Sequence, residues 1–381
     1  MEPLGLYIHI PFCKSKCYYC DFLSYSHKDS FMDKYIKYLN REIDLYSDIL
    51  KDSIIETIFI GGGTPSHISE VYISRILKNI NQKLDISKVN EITLEANPCT
   101  LNEKKLNVYN KLGVNRISLG VQSMDNKILK KIGRIHTEED IYKSYNLIKK
   151  TGFENVNIDL IFGLPDQKLE DILETLKKVV DLNVEHISFY SLIIEEGTKY
   201  YTWLDEGKIS LPEEKLERQM YHKGKEYLIE NGYEHYEISN FAKKGFESKH
   251  NVLYWTVKPY VGLGIGAHSN LNNIRYWNWE DFESYFKYID EKRLPIEGNE
   301  SINKEMEIAE YAMLGLRLTK GISKRDFFNR FHKNIEEIYG DVLKKHERNN
   351  LLKIGKDRIK LTNKGLDLAN IVFIDLFPNK K

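Results

Sequence analysis

A rhythm in the first half of the chain restricts its fold more than any other feature. Short continuous apolar runs at 6–11, 57–61, 91–97, 116–122, 155–163 and 186–193 alternate with longer stretches of helical periodicity. Strands that are apolar throughout, rather than at every second residue, are buried on both faces. That is the pattern of a parallel sheet covered by helices. The helical stretches fall near 31–50, 69–84, 102–112, 138–151 and 168–182. In the first of them Phe31, Tyr35, Leu39, Ile43, Tyr46 and Leu50 share one face. Six such βα units are too few for the eight of a closed barrel. They form an α/β fold that is either an open, partial (β/α)6 TIM-like barrel or a doubly wound sheet. Both place ligands at the C-terminal ends of strands. A cysteine loop follows the first strand here, GGGTP the second and NP the third.

Past residue 195 the rhythm breaks. Residues 212–231 read as a long helix, whereas 233–241 and 259–269, rich in glycine and aromatics, resolve into no clear element. Helices are expected at 305–317, 323–331 and 334–348, then a hairpin at 351–362 turning at GKD, then a last helix at 362–375. This is a small, mainly helical, winged-helix-like pattern. The expected division is a barrel over 1–235, a connecting segment over 236–300 and a C-terminal domain over 301–381.

Charge excludes some partners. Lys+Arg and Asp+Glu number 56 each, so no basic excess favours nucleic acid or an anionic membrane. The start, MEPLGLYIHIPFC, lacks the basic and apolar regions of a signal peptide, and the apolar runs are too short to span a bilayer. A cytoplasmic protein is expected, and in a reducing compartment cysteines serve as ligands or catalytic groups rather than disulfides.

Three of the four cysteines, Cys13, Cys17 and Cys20, are spaced Cys-x3-Cys-x2-Cys. The polar Lys14, Ser15 and Lys16 between them argue against a purely structural role. Two metal readings stand. Zinc needs a fourth ligand, for which Cys99, His9 and His27 are candidates. Alternatively, three thiolates hold three irons of a [4Fe–4S] cluster and leave the fourth iron open. The spacing, in a loop after the first strand, resembles the radical S-adenosylmethionine (SAM) superfamily. The resemblance implies a [4Fe–4S] cluster on Cys13, Cys17 and Cys20 that cleaves SAM reductively to a deoxyadenosyl radical. It also implies SAM contacts from Tyr7, Gly62, Gly63, Thr64, Glu95, Gln122, Arg134 and Asp159. The residue types agree. Glycines let a backbone approach a ligand closely, and an arginine pairs with a carboxylate. Glu95 and Asp159 sit among apolar strand residues, where an unpaired charge is costly.

LYIHIPFCKSKCYYCDF, FIGGGTPS, LEANP, SLGVQS and NIDLIFGLPDQ together resemble the oxygen-independent coproporphyrinogen III oxidase-like family, and LGLRLTKGIS (314–323) resembles the start of its C-terminal domain. Two departures turn the resemblance toward the family's HemW heme-chaperone branch. Phe22 stands where the oxidase has a fourth cysteine, and the oxidase's extension ahead of the first strand has no counterpart. KHNVLYW (249–255) resembles the branch's heme motif and implies heme contacts from His250, Tyr254 and Trp255. The alternative for His250 is bonding within a local turn. His268, in GLGIGAHS, either walls the same cleft or belongs to a tight turn. The expected function is a heme chaperone that passes heme to an acceptor protein and draws on a cellular electron donor. Contact with a membrane is expected only through an acceptor, and the reading admits a homodimer. Porphyrinogen oxidation is the alternative, and whether the chain is an enzyme stays open.

Overall fold

The structure, a computed structural model, describes residues 3–378. Six strands, Leu4–Ile10 (β1), Ile55–Gly62 (β2), Glu91–Ala96 (β3), Arg116–Gln122 (β4), Asn155–Phe162 (β5) and His186–Ser191 (β6), lie side by side in chain order. Each neighbouring pair is parallel. A doubly wound sheet reverses its strand order at a switch point; this one does not, so the partial barrel is the correct alternative.

Helices cover the outside of this arc. In Met32–Leu50 the expected stripe of Tyr35, Leu39, Ile43, Tyr46 and Leu50 is buried. Ser69, Asn102 and Thr137 each accept a hydrogen bond from a backbone N–H in the first turn of the helix they cap. Such caps contribute about 1 kcal/mol each. They explain why these three helices begin within a residue or so of their expected starts.

Residues 233–241 and 259–269, which carry no clear periodicity, hold strands of the same sheet. Tyr260–Leu263 pairs parallel with the free edge of β1, and His268–Leu271, Ile274–Asn278 and Ile296–Ser301 extend that edge antiparallel. At the other edge Asn240–Ala242 pairs antiparallel with β6 and is flanked by Glu234–Glu237. The sheet therefore has 12 strands, and 236–300 supplies strands to both of its ends. These strands are three to six residues long, too short for periodicity to reveal. KHNVLYW is a helix, Lys249–Trp255, capped by Ser248.

The C-terminal residues have their own core, which includes Ala312, Leu316, Phe327, Leu343, Ile359 and Val372. The expected hairpin is present as Leu352–Ile354 and Arg358–Leu361, with Ile322–Ser323 as a third strand. The last helix is a correction. It is two helices, Asn363–Asp367 and Ala369–Leu376, broken where Leu368 leaves helical geometry at φ −116°, ψ 28°. Among the described residues no helix is long and apolar enough to cross a membrane.

Candidate functional site

The cysteine loop leaves the C-terminal end of β1, and the glycine run at the end of β2 fixes its start. Gly63 N–H donates to the Ile10 carbonyl at 2.8 Å, and Thr64 N–H donates to the Phe12 carbonyl at 2.9 Å. A Cβ on Gly63 would stand 2.9 Å from the Phe12 carbonyl oxygen and 3.0 Å from that of Ile10. Gly62 adopts φ +110°, and a Cβ there would stand 2.6 Å from the His9 ring. The nearest groups requiring glycine are thus the chain's own backbone and His9. Gly63→Ala is expected to lose about 1–3 kcal/mol through overpacking and to reduce cluster occupancy after reconstitution. Chemical denaturation and iron analysis check the two effects.

From that anchor a line of side chains joins two of the thiols. Cys13 Sγ lies 3.4 Å from Thr64 Oγ1. Thr64 Oγ1 accepts from Asn97 Nδ2 at 3.0 Å, and Asn97 Oδ1 accepts from Arg134 at 2.6 Å. Arg134 also donates to the Gly120 carbonyl and, at 3.4 Å, to Cys17 Sγ. Its buried Nε has no partner among the described residues. Tyr18 N–H donates to the Ile132 carbonyl, and Tyr200 N–H to the Tyr18 carbonyl, pinning the loop to segments far away in sequence. Sequence reasoning missed Asn97 as a site side chain. Its signal was there: two residues beyond Glu95, it has the same phase along the strand. Tyr18 and Tyr200 left no such signal, because they act through backbone groups.

Deeper in the arc, Tyr7 OH lies 2.9 Å from His9 Nδ1, and His9 Nε2 bonds the Leu23 carbonyl at 2.8 Å. Burial holds the His9 imidazole down at about 4, so it is neutral. Gln122, at φ +71°, accepts from Tyr190 OH at 3.1 Å. Asp159 accepts from Ser118 at 3.1 Å and Asn157 at 2.8 Å, and burial raises its carboxyl. Glu95 accepts from Gly62 N–H at 3.1 Å. Burial, followed by the charge of Asp159, pushes Glu95 up from 4.5 to about 8. The folded protein therefore binds this proton more tightly than the unfolded chain. Its contribution falls as pH rises from about 4.5 to 8. Glu95→Gln is expected to be more stable than the parent at pH 8.5 and no more stable at pH 5. Thermal melts at the two pH values measure this.

The donor set decides between the two metal readings. Burial raises the Cys13 thiol and pushes that of Cys20 up to about 11, and the three sulfurs act on one another electrostatically. Yet among the described residues no three His, Cys, Asp or Glu side chains gather around one metal-sized point. Zinc ligands must converge at about 2.3 Å from one ion. Thiolates of an iron–sulfur cluster each hold their own iron and stand farther apart. None of the candidate fourth zinc ligands His9, His27 and Cys99 joins the cysteines around one point among the described residues; both His9 nitrogens are engaged, and the Cys99 thiol bonds Asp140. Three neighbouring thiols, with Arg134 donating to one of them, fit a cluster. Cys13, Cys17 and Cys20 are the residues that would hold it.

The residues of KHNVLYW are not part of this assembly. His250 is buried, with Nδ1 2.7 Å from Thr57 Oγ1 and Nε2 2.8 Å from Tyr254 OH. Its ring stacks on Phe59 at 5.2 Å. The N–H groups of Lys249 and His250 donate to the Glu91 carboxylate. Thr57, Glu91 and the nearby Gly5 lie toward the N-terminal ends of β2, β3 and β1. The helix therefore closes the mouth of the arc opposite the cysteines, roughly 16 Å away along β2 at about 3.3 Å per residue. Burial, then Arg116, holds the imidazole down at about 3. Both ring nitrogens are in use, so ligating iron would require His250 to give up a bond. Trp255 is covered by the Arg317 guanidinium at 4.3 Å. His268 lies on a strand and stacks on Trp277, away from KHNVLYW in the fold.

An open six-stranded βα arc with three thiols at its C-terminal mouth defines a radical SAM protein. Comparison agrees: residues 7–179 match the Radical SAM superfamily and 302–368 the HemN C-terminal domain. The chain is 41% identical to the heme chaperone HemW of Lactococcus lactis, over 98% of its own length and 97% of that protein's. It is 38% identical to that of Bacillus subtilis, over 96% and 97%. Its fold matches the structure of Escherichia coli coproporphyrinogen III oxidase (HemN), a radical SAM enzyme, with TM-score 0.86 at 23% identity, covering 98% of this chain and 90% of that one. The chain belongs to the HemW heme chaperone family.

Proposed function

We propose that this protein binds heme and delivers it to an acceptor protein, and that it carries a [4Fe–4S] cluster and SAM at the opposite mouth of the arc. The observation that carries the reading is the identity to heme chaperones along almost the entire chain. Phe22 supports it. Where the oxidase resemblance calls for a fourth cysteine, this chain has an aromatic side chain that is 64% exposed.

When bound, the cluster supplies an electron, drawn from a cellular donor, for reductive cleavage of SAM. The chain's own residues hold and shield that chemistry. Arg134 donates a hydrogen bond to Cys17 Sγ and ties it to Asn97 and the Gly120 carbonyl. Gly62, Gly63 and Thr64 fix the loop against β1. Tyr7, Glu95, Gln122 and Asp159 are the lumen residues proposed to contact SAM, with Arg134 above them. Burial raises the carboxyls of both Glu95 and Asp159, and a neutral Glu95 can donate a hydrogen bond as well as accept one.

Hemin titration of the purified protein, followed by mixing with an apo-acceptor, tests the reading. A saturable Soret band at one heme per chain that moves to the acceptor is expected. Failure to bind hemin above the level of an unrelated protein of similar size contradicts it.

A further inference from the structure

The helix Lys249–Trp255 turns His250 and Tyr254 into the arc. Trp255, the next residue and about 100° farther round the helix, meets the C-terminal unit instead. The Arg317 guanidinium lies over its ring, 4.3 Å from the centroid. The same guanidinium stands 3.9 Å from Oε2 of Glu237, a fully buried residue on the strand Glu234–Glu237. The backbone of Arg317 is fixed. Ile238 N–H donates to its carbonyl at 3.1 Å, and Thr319 N–H donates to the Tyr236 carbonyl at 3.0 Å. Thr319 Oγ1 donates to the His235 carbonyl at 2.7 Å. These bonds seat residues 317–319 on the edge strand without using the guanidinium.

The Arg317 side chain is held in another way. Among the described residues its guanidinium makes no hydrogen bond, and 3.9 Å is too long for one. Four buried polar atoms without a partner among the described residues gather in this contact: Arg317 Nε, Trp255 Nε1, Glu237 Oε2 and Asn240 Oδ1. Asn240 belongs to it because its amide nitrogen donates to Glu237 Oε1. Burial raises the Glu237 carboxyl, and the charge of Arg317 opposes that rise. Leaving such groups unsatisfied is costly. The contact therefore rests on stacking and charge alone. Swinging Arg317 aside breaks no hydrogen bond and brings its Nε–H to water.

What the guanidinium covers is the face of an indole, a flat apolar surface on which a planar macrocycle stacks. We propose that Arg317 is a gate on the KHNVLYW helix: its guanidinium covers Trp255 in the heme-free protein and swings aside when heme stacks on that ring. The inference rests on the heme-carrier reading and adds a control step to it. A gate that is mostly closed lowers the apparent affinity by the fraction of molecules in which it stands open.

The test is stopped-flow hemin binding to the full-length protein, to Arg317→Ala and to the double variant Arg317→Ala, Glu237→Gln. The double variant is included because removing Arg317 leaves a buried carboxyl without its cation. Circular dichroism compares their folding. Both variants are expected to bind hemin roughly three- to tenfold faster, with dissociation unchanged. A second measurement needs no heme. Acrylamide quenching of Trp255, taken as the difference between each protein and its Trp255→Phe counterpart, is expected to rise when Arg317 is replaced. An unchanged association rate, even with Trp255 uncovered, means that heme enters elsewhere and overturns the gate. Weaker binding overturns it too, by making Arg317 part of the wall, and so does loss of folding in both variants, since docking would then need the guanidinium. Each of these leaves the carrier reading intact. A parent protein that takes up no hemin overturns both.

Discussion

The triple variant Cys13→Ser, Cys17→Ser, Cys20→Ser is expected to retain no iron or acid-labile sulfide after anaerobic reconstitution, and to bind hemin as the parent does. The first half follows from the donor set. Serine hydroxyls do not replace thiolates on iron, and no other His, Cys, Asp or Glu group among the described residues is arranged to take over. The second half follows from the layout. The cysteines lie at the C-terminal mouth of the arc, and the KHNVLYW helix seals the N-terminal mouth beyond Phe59. The substitutions should cost little stability, since Cys17 and Cys20 are only partly buried and a serine hydroxyl at buried Cys13 can still bond Thr64 Oγ1. Loss of hemin binding together with the iron would mean that the two sites are one, and would contradict the layout.

His250→Ala is expected to lower unfolding stability by roughly 3–5 kcal/mol, the range for a large buried side chain removed together with its hydrogen bonds. His250 spans Thr57 on β2 and Tyr254 on its own helix, so the substitution strands two buried hydroxyls and empties the space beside Gly5 and Phe59. Denaturant unfolding of the apoprotein measures it. A ligand-only role predicts the reverse: unchanged apoprotein stability with lost or altered heme ligation. The experiment thus separates a residue that builds the helix from one that binds the iron.

The sequence made legible what depends on long, regular patterns. Six buried strands and their amphipathic helices can be read because each carries several residues in phase, and the covering helices start where Ser69, Asn102 and Thr137 can cap them. The thiol loop was legible from spacing alone. Short-range and long-range cooperation was not. The strands that extend both ends of the sheet exist because β1 and β6 present unpaired edges, which no local pattern in 236–300 reveals. The break at Leu368 was invisible, because the apolar run continues through it. Arg134 was expected to face a ligand carboxylate. Its actual partners, Asn97, the Gly120 carbonyl and Cys17, come from three separate segments. The same holds for His250. The motif marks the residue, but only the fold shows that Thr57 and Tyr254 already occupy its two nitrogens.

The central claim is that this radical SAM fold carries heme rather than oxidising a porphyrinogen. Its most direct test gives cluster-reconstituted protein SAM, reductant and coproporphyrinogen III under anaerobic conditions, with hemin binding measured on the same preparation. The account predicts one bound heme per chain and no protoporphyrinogen above the level of the triple-cysteine variant. Protoporphyrinogen formed at a catalytic rate by protein that holds no heme would contradict it.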